Sequence, residues 1–154
     1  MFETLEIREG KDLLCREILN SLPEWFGIPE AIDAYVEGVK QQPMLICKET
    51  SKGSIVGFLS LRLHTPFATE AYVLGIRREW HRQGCGTMLF NAASELIRTR
   101  GARFLTVKTL AATNPDPNYT LTRQFYEKIG FLPIEVFASL WGAQNPCLLM
   151  IKLV

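Results

Sequence analysis

The chain has 154 residues, of which 47% are hydrophobic, and its 17 basic and 16 acidic side chains leave a net charge of +1. That balance gives no field for general nucleic-acid binding, and the length and apolar content suit a single domain, 1–154, with its own core. No apolar run reaches membrane-span length, Met1-Phe2-Glu3-Thr4-Leu5-Glu6 lacks the blocks of a signal peptide, and Cys15, Cys47, Cys85 and Cys147 stand far apart with only His64 and His81 to help them, so the expectation is a cytoplasmic protein with free thiols, no metal, no membrane and no nucleic-acid partner.

Leu5 to Glu9 alternates like a first strand, and Gly10 breaks it before an amphipathic segment, Lys11 to Leu22, with Leu13, Leu14, Ile18 and Leu22 on one side. The link Pro23 to Pro29 carries Trp25 and Phe26, which are expected to pack a helix corner, and Glu30 to Gln41 is again helical, with Ile32, Tyr35, Val36 and Val39 in a stripe. Met44 to Lys48 and Ile55 to Leu63, around the turn Thr50-Ser51-Lys52-Gly53, predict a hairpin. A further strand, Glu70 to Ile76, follows the Thr65-Pro66-Phe67 loop and extends the antiparallel run.

After this strand comes a basic turn, Arg77-Arg78-Glu79-Trp80, and then His81-Arg82-Gln83-Gly84-Cys85-Gly86-Thr87 at a helix start. Glycines there permit a sharp turn and close approach to the amides, while the free N–H groups of a new helix favour an anion. A dinucleotide fingerprint is excluded because Leu89 stands where its third Gly belongs, and a Walker-type loop because no Lys separates Gly86 from Thr87. The helix that follows carries Met88, Leu89, Ala92, Ala93, Leu96 and Ile97 on one face and ends at Gly101, and Phe104 to Thr109 reads as a buried strand parallel to the one at Glu70.

The loop Asn114-Pro115-Asp116-Pro117-Asn118 leads to a helix with Leu121, Phe125 and Ile129 as its stripe and Gly130 just beyond its end. Ile134 to Phe137 and Cys147 to Leu153 then predict a closing hairpin, with Trp141 between them packing on the sheet. About seven strands and about four helices therefore follow one another along the chain, as in an α/β fold.

Two stretches resemble the GNAT N-acetyltransferase family. The first is His81 to Gly86, which follows the family's Gln/Arg-x-x-Gly-x-Gly/Ala loop except that His81 occupies the Gln/Arg position; the second is Phe125-Tyr126 with Gly130-Phe131, where Tyr119 and Thr122 replace the family's Asn and Ala. The resemblance and the strand spacing jointly imply an α/β fold with a mixed, mostly antiparallel sheet of about seven strands flanked by about four helices, and the resemblance adds central parallel strands that splay to admit the pantetheine arm, and transfer of an acetyl group from acetyl-CoA to an amine. It implies cofactor contacts from Leu74, Gly75 and Ile76 and from His81, Arg82, Gln83, Gly84, Cys85, Gly86 and Thr87, with the Leu74 amide polarising the thioester carbonyl. It also implies that Tyr126 protonates the departing thiolate.

The base is open. Glu70 stands four residues before Leu74, where one branch of the family has its glutamate, but an ordered water can serve instead, a glutamate opening a strand is commonly just solvated, and Glu30 and His64 are unplaced. Cys85, at a helix N-terminus where a thiol pKa is lowered, reads as packing and not as a nucleophile. A small-molecule amine is the expected acceptor because no acidic patch suited to basic peptides is visible. The alternatives are a protein or peptide amine, or a non-catalytic acyl-CoA sensor, and a homodimer is compatible with any of them.

Overall fold

A computed structural model describes all residues, 1–154. Seven strands form one sheet in the order β1-β2-β3-β4-β5-β7-β6. The elements run β1 (Phe2–Ile7), α1 (Lys11–Asn20), α2 (Pro29–Val39), β2 (Met44–Glu49), β3 (Ile55–Leu63), β4 (Ala68–Ile76), α3 (Cys85–Thr99), β5 (Phe104–Leu110), α4 (Pro117–Lys128), β6 (Leu132–Phe137) and β7 (Cys147–Leu153), with a short 3-10 turn at Arg78–Trp80 before α3. Every pairing is antiparallel except β4 with β5. The expected mixed sheet with four flanking helices is therefore present.

Helices cover both faces of the sheet. On one face α1 and α2 set Cys15, Ile18, Leu19, Ile32, Val36 and Val39 against Met44, Ile46, Phe58 and Val73. On the other, the i, i+4 spacing of Leu89, Ala93 and Ile97 on α3 meets Leu45, Cys47, Val56, Leu59, Leu61 and Ala71. At about 25 cal/mol per Å² of apolar surface removed from water, these two layers supply most of the drive to fold.

Both later helices end in the same capping geometry, which accounts for their glycines. Ala102 N–H bonds to Ile97 O and Gly101 N–H to Arg98 O, with Gly101 at φ 90°; Phe131 N–H bonds to Tyr126 O and Gly130 N–H to Glu127 O, with Gly130 at φ 105°. These are paired 6→1 and 5→2 bonds that satisfy the last carbonyls and require a left-handed residue. The rings of Tyr126 and Phe131 lie 5.6 Å apart across the second cap. The Phe-Tyr-x-x-x-Gly-Phe spacing is thus a helix end that pins the Tyr126 ring in the core.

Several boundaries differ from the sequence reading. β1 begins at Phe2, because the register Phe2↔Glu49 to Ile7↔Met44 and a bond from Thr50 N–H to Met1 O fix it against β2. α1 and α2 stop at Asn20 and Val39, short of Leu22 and Gln41. α3 starts at Cys85, so Gly86 and Thr87 lie inside its first turn. α4 starts at Pro117, with the Asp116 carboxylate accepting from Asn118 N–H. Leu121 is 49% exposed and is not part of the buried stripe, whose place is taken by Arg123 and Tyr126. Trp141 is exposed and joins no core cluster, so it does not pack on the sheet.

Candidate active site

The parallel joint between β4 and β5 is short. Pairing covers only Ala68↔Phe104, Thr69↔Leu105 and Glu70↔Thr106, and beyond it the two strands diverge. The register on the other side of β4 determines what the opening displays. Arg77 N–H bonds to Val56 O, and successive pairs Ile76↔Gly57, Gly75↔Phe58 and Leu74↔Leu59 follow. Antiparallel pairs alternate between bonded and non-bonded, so Gly75 bonds to β3 while the N–H and C=O of Leu74 and Ile76 point away from it, into the split. His81 confirms the direction, because its Nε2 donates to Ile76 O at 2.7 Å. The Leu74 amide is left facing the opening. Gly75 itself is demanded by packing, since a Cβ there would stand 2.8 Å from Ile18 Cγ2 of α1.

The loop between β4 and α3 presents a run of unused donors. None of the amides from Arg82 to Thr87 bonds to a backbone or side-chain acceptor, and the first helical bond runs from Met88 N–H to Gly84 O. Arg82, at φ 61°, is the one non-glycine residue with positive φ, and Gly84 follows at φ 91°. Left-handed residues in such a turn curl consecutive amides toward a common point, a geometry that suits phosphate, and the N-terminal end of α3 adds its dipole. Arg77 and Arg78 are drawn to Glu17 and Glu24. Arg82 is exposed and has no carboxylate partner, so its charge is available to an anion.

Three residues of this stretch, Gln83, Cys85 and Gly86, have other duties. Gln83 Nε2 donates to Glu79 O at 3.0 Å. Cys85 is buried beside Cys47, and burial pushes its thiol pKa up, against the lowering expected at a helix start. Its contribution to the loop is its amide. Gly86 is small for the sake of α4, because a Cβ there would stand 3.0 Å from Phe125 Cζ, whereas Gly84 faces open space.

Tyr126 lies between Phe90, Phe125 and Phe131, all within 5.9 Å of ring separation. Its hydroxyl bonds to no protein group, yet the sealed unsatisfied side-chain atoms are only Ser94 Oγ and Thr109 Oγ1. The hydroxyl therefore reaches accessible space. Burial raises its pKa well above the ordinary phenol value, with Tyr119 and Tyr35 adding to the effect, so it holds its proton throughout the neutral range.

Glu70 is not solvated. It is 4% exposed, with Lys108 Nζ at 3.1 Å from Oε1 and 3.3 Å from Oε2, and His64 Nε2 at 2.6 Å from Oε1. His64 is partly exposed and connects this carboxylate to solvent. Glu30 belongs to the first turn of α2 and takes no part in this cluster.

Sequence reasoning missed how α4 is tied down. Arg123, buried in the helix, donates to Leu110 O at 2.6 Å and to Thr120 Oγ1 at 3.1 Å, which anchors α4 on the end of β5. Tyr119 Oη donates to Trp25 O at 2.7 Å, and Trp25 Nε1 donates to Thr122 Oγ1 at 3.2 Å. Trp25 also meets the His81 ring edge-on at 5.5 Å. The link between α1 and α2 thus reaches the anion loop and α4 together, well beyond a helix corner.

These features were set beside known proteins. A family model described as acetyltransferase (GNAT) domain matches residues 40–133. The chain belongs to the GNAT acetyltransferase family. Sequence comparison with curated proteins gives no match. Among solved structures, a protein from Desulfovibrio desulfuricans assigned to the GNAT acetyltransferases superposes with TM-score 0.83 at 19% identity, covering 99% of both chains. An aminoglycoside 6'-N-acetyltransferase complexed with coenzyme A gives 0.72 at 18% identity, covering 98% of this chain and 96% of its own. The ribosomal-protein-S18-alanine N-acetyltransferase of Escherichia coli gives 0.76 at 12% identity, covering 100% of this chain and 94% of its own. At such identities the likeness is one of fold. The two named acceptors, an aminoglycoside and a protein alanine, show that the GNAT fold leaves the acceptor open.

As a GNAT protein the chain is an acetyl-CoA-dependent N-acetyltransferase, and its own residues fit that cofactor. The free amides of Arg82 to Thr87 and the unpaired Arg82 suit a pyrophosphate, and the β4–β5 split with its outward Leu74 amide suits an extended arm. The four cysteines are free and buried, and no cluster of metal-ligating side chains is present. No helix is long and apolar enough to cross a membrane.

Proposed function

We propose that residues 1–154 act as one N-acetyltransferase domain that acetylates a primary amine of a small molecule by direct attack with both substrates bound. What supports this reading is the combination of an unused Leu74 amide at the β4–β5 split, free amides in the loop that follows β4 and an unpartnered Tyr126 hydroxyl.

Acetyl-CoA would supply a thioester, and the reaction exchanges its C–S bond for a C–N bond. The chain's groups divide the remaining work. Arg82 to Thr87 hold the anionic end, with Gly75 and Ile76 lining the strand edge. The Leu74 N–H would donate to the thioester carbonyl oxygen as it gains charge, and it needs no reorganisation because the strand already holds it. Tyr126 keeps its proton until a thiolate needs one. Glu70 is the candidate base, directly or through one water, and His64 at 2.6 Å offers that proton a way to solvent. Cys85 supplies no nucleophile, because burial keeps its thiol protonated.

The test is release of coenzyme A thiol from acetyl-CoA against a panel of small amines, with product mass confirming the new amide. Glu70→Gln keeps the size and removes the basicity, so it should depress turnover on the neutral plateau while leaving the coenzyme A-induced thermal shift intact. Undiminished turnover in that variant removes Glu70 from the mechanism. A parent protein that binds coenzyme A but acetylates only a peptide amine, or nothing, overturns the small-molecule reading.

A further inference from the structure

The end of the cleft beyond Leu74 has a charge pattern that bears on the acceptor. The registers Arg62↔Glu70 and Glu70↔Thr106 place these three side chains on one face of the sheet, and the strand period of two adds Lys108. The same period of two adds Tyr72, and a bulge in β4, where Ser60 faces Val73 but Leu61 faces Ala71, turns Val73 to that side as well. Tyr72 lies against α2, since a Cβ on Gly38 would stand 2.8 Å from its hydroxyl, and its ring meets Tyr35 at 5.4 Å. The Arg62 guanidinium lies over the Tyr72 ring, 5.6 Å from its centre.

The carboxylate beside Arg62, Glu70, is already compensated, and Glu135, which shares this face through Leu149, stands two strands beyond Lys108 on the side away from Arg62. Both oxygens of Glu70 are engaged by Lys108, and one also by His64. Arg62 has an aromatic contact in place of an ion pair. The acids of α2 do not offset it, because Asp33 is taken by Arg16 and Glu37 by Lys40, while Glu30 lies about 12 Å of helix rise from Gly38. What remains is an aromatic wall with surplus positive charge. Such a wall repels a polycation and receives an anion, and a guanidinium already fixed on a ring loses little freedom in doing so.

Resting on the acetyltransfer reading above, we propose that the acceptor is an amine that also carries an anionic group, a carboxylate or a phosphate. Arg62 receives that group, with Lys108 beside it, while the amine lies toward Leu74.

The experiment compares matched acceptors: tyrosine with tyramine, lysine with cadaverine, glucosamine 6-phosphate with glucosamine, and kanamycin as a polycation. The anionic members should exceed their partners in kcat/KM by about tenfold, the scale of one charge-assisted pair. The pair that responds distinguishes carboxylate from phosphate. Arg62→Met should abolish the preference by raising KM for the anionic member while leaving its kcat and the neutral partner's KM in place. In the parent protein, raising salt from about 0.05 to about 0.5 M should raise KM for the anionic members only, a readout that does not depend on any variant folding. Equal or better use of the neutral amines or kanamycin, a preference that survives in Arg62→Met, or no transfer to any anionic member overturns the inference. Transfer to the neutral amines or kanamycin, measured in the same samples, separates the two failures: where any of them is acetylated this inference alone falls, and where coenzyme A stabilises the protein but no member of the panel is acetylated the small-molecule acetyltransfer reading falls with it.

Discussion

The indole N–H of Trp25 donates to the hydroxyl of Thr122, 97 residues away in sequence, and the same Thr122 hydroxyl donates to Asn118 O one turn back. Thr122 and Tyr119 are the two positions at which α4 departs from the family pattern, and both are spent on Trp25. Thr122→Val keeps the shape and removes the acceptor, leaving an indole N–H without a partner. A loss of about 1 kcal/mol is expected, or roughly 2–4 °C in Tm for a domain of this size. Urea and thermal unfolding measure it, and the double variant with Tyr119→Phe should be non-additive because the two bonds share one residue. Strict additivity would mean that the α1–α2 link is held elsewhere.

The anion loop can be tested against an internal control. Gly84 and Gly101 have nearly the same backbone conformation, φ 91° and 90°, and both face open space, but only Gly84 adjoins the free amides. Glutamate at either position introduces similar backbone strain. Gly84→Glu should also abolish the coenzyme A-induced rise in Tm, while Gly101→Glu should retain it. A normal response in folded Gly84→Glu would show that the anion binds elsewhere.

Tyr126→Phe should cost little stability, since the hydroxyl has no protein partner to lose. Its effect belongs in the chemical step. Single-turnover acetyl transfer should slow by about 10²-fold, the lower range for a positioned general acid, with coenzyme A affinity nearly unchanged. Equal loss in affinity and rate would make Tyr126 a packing residue only.

Two partly buried phenols, Tyr35 and Tyr119, should also set an alkaline limit. Burial pushes Tyr35 and Tyr119 each from 10.0 up to about 12. A raised folded-state pKa means that the folded protein holds its proton where the unfolded chain has released it. The stabilisation is therefore complete below pH 10 and is lost as pH rises from there through about 12. Urea unfolding at successive pH values should show stability falling above pH 10, and Tyr35→Phe or Tyr119→Phe should make that fall shallower. An unaltered slope in both variants would assign the alkaline loss to other groups.

The order and type of the elements were legible because the apolar periods of α3, β3 and β5 match what those elements bury. The anion loop was legible for a similar reason, since its glycines and its place between strand and helix are local properties. Other features depend on partners distant in sequence. Leu5 to Glu9 looks like a strand by alternation, but pairing with β2 starts it at Phe2. Glu70 looks solvated until Lys108 and His64 are placed around it. Leu121 has the right spacing for a stripe, yet Arg123 is the residue that goes inward, because Leu110 O awaits it at the end of β5. The Asp116-Pro117 pair was the local signal for the start of α4, a capping carboxylate followed by a proline suited to a first turn.

The short joint between β4 and β5 marks a seam between two parts of the domain. Only three residue pairs bridge the strands there, and the rest of the attachment is made by side chains: Phe90 on Phe125, Tyr126 and Phe131, Lys108 on Glu70, Tyr119 and Thr122 on Trp25, and the shared core. The exposed turn at Gly101 is the natural place for a cut, giving one fragment with α1–α3 and β1–β4 and another with α4 and β5–β7. A molecule lying in the seam touches both fragments, so it would act as a molecular glue, and fragment reassembly would track its concentration by mass action. The same opening that admits a cofactor would make this protein, once split, a reporter of that cofactor.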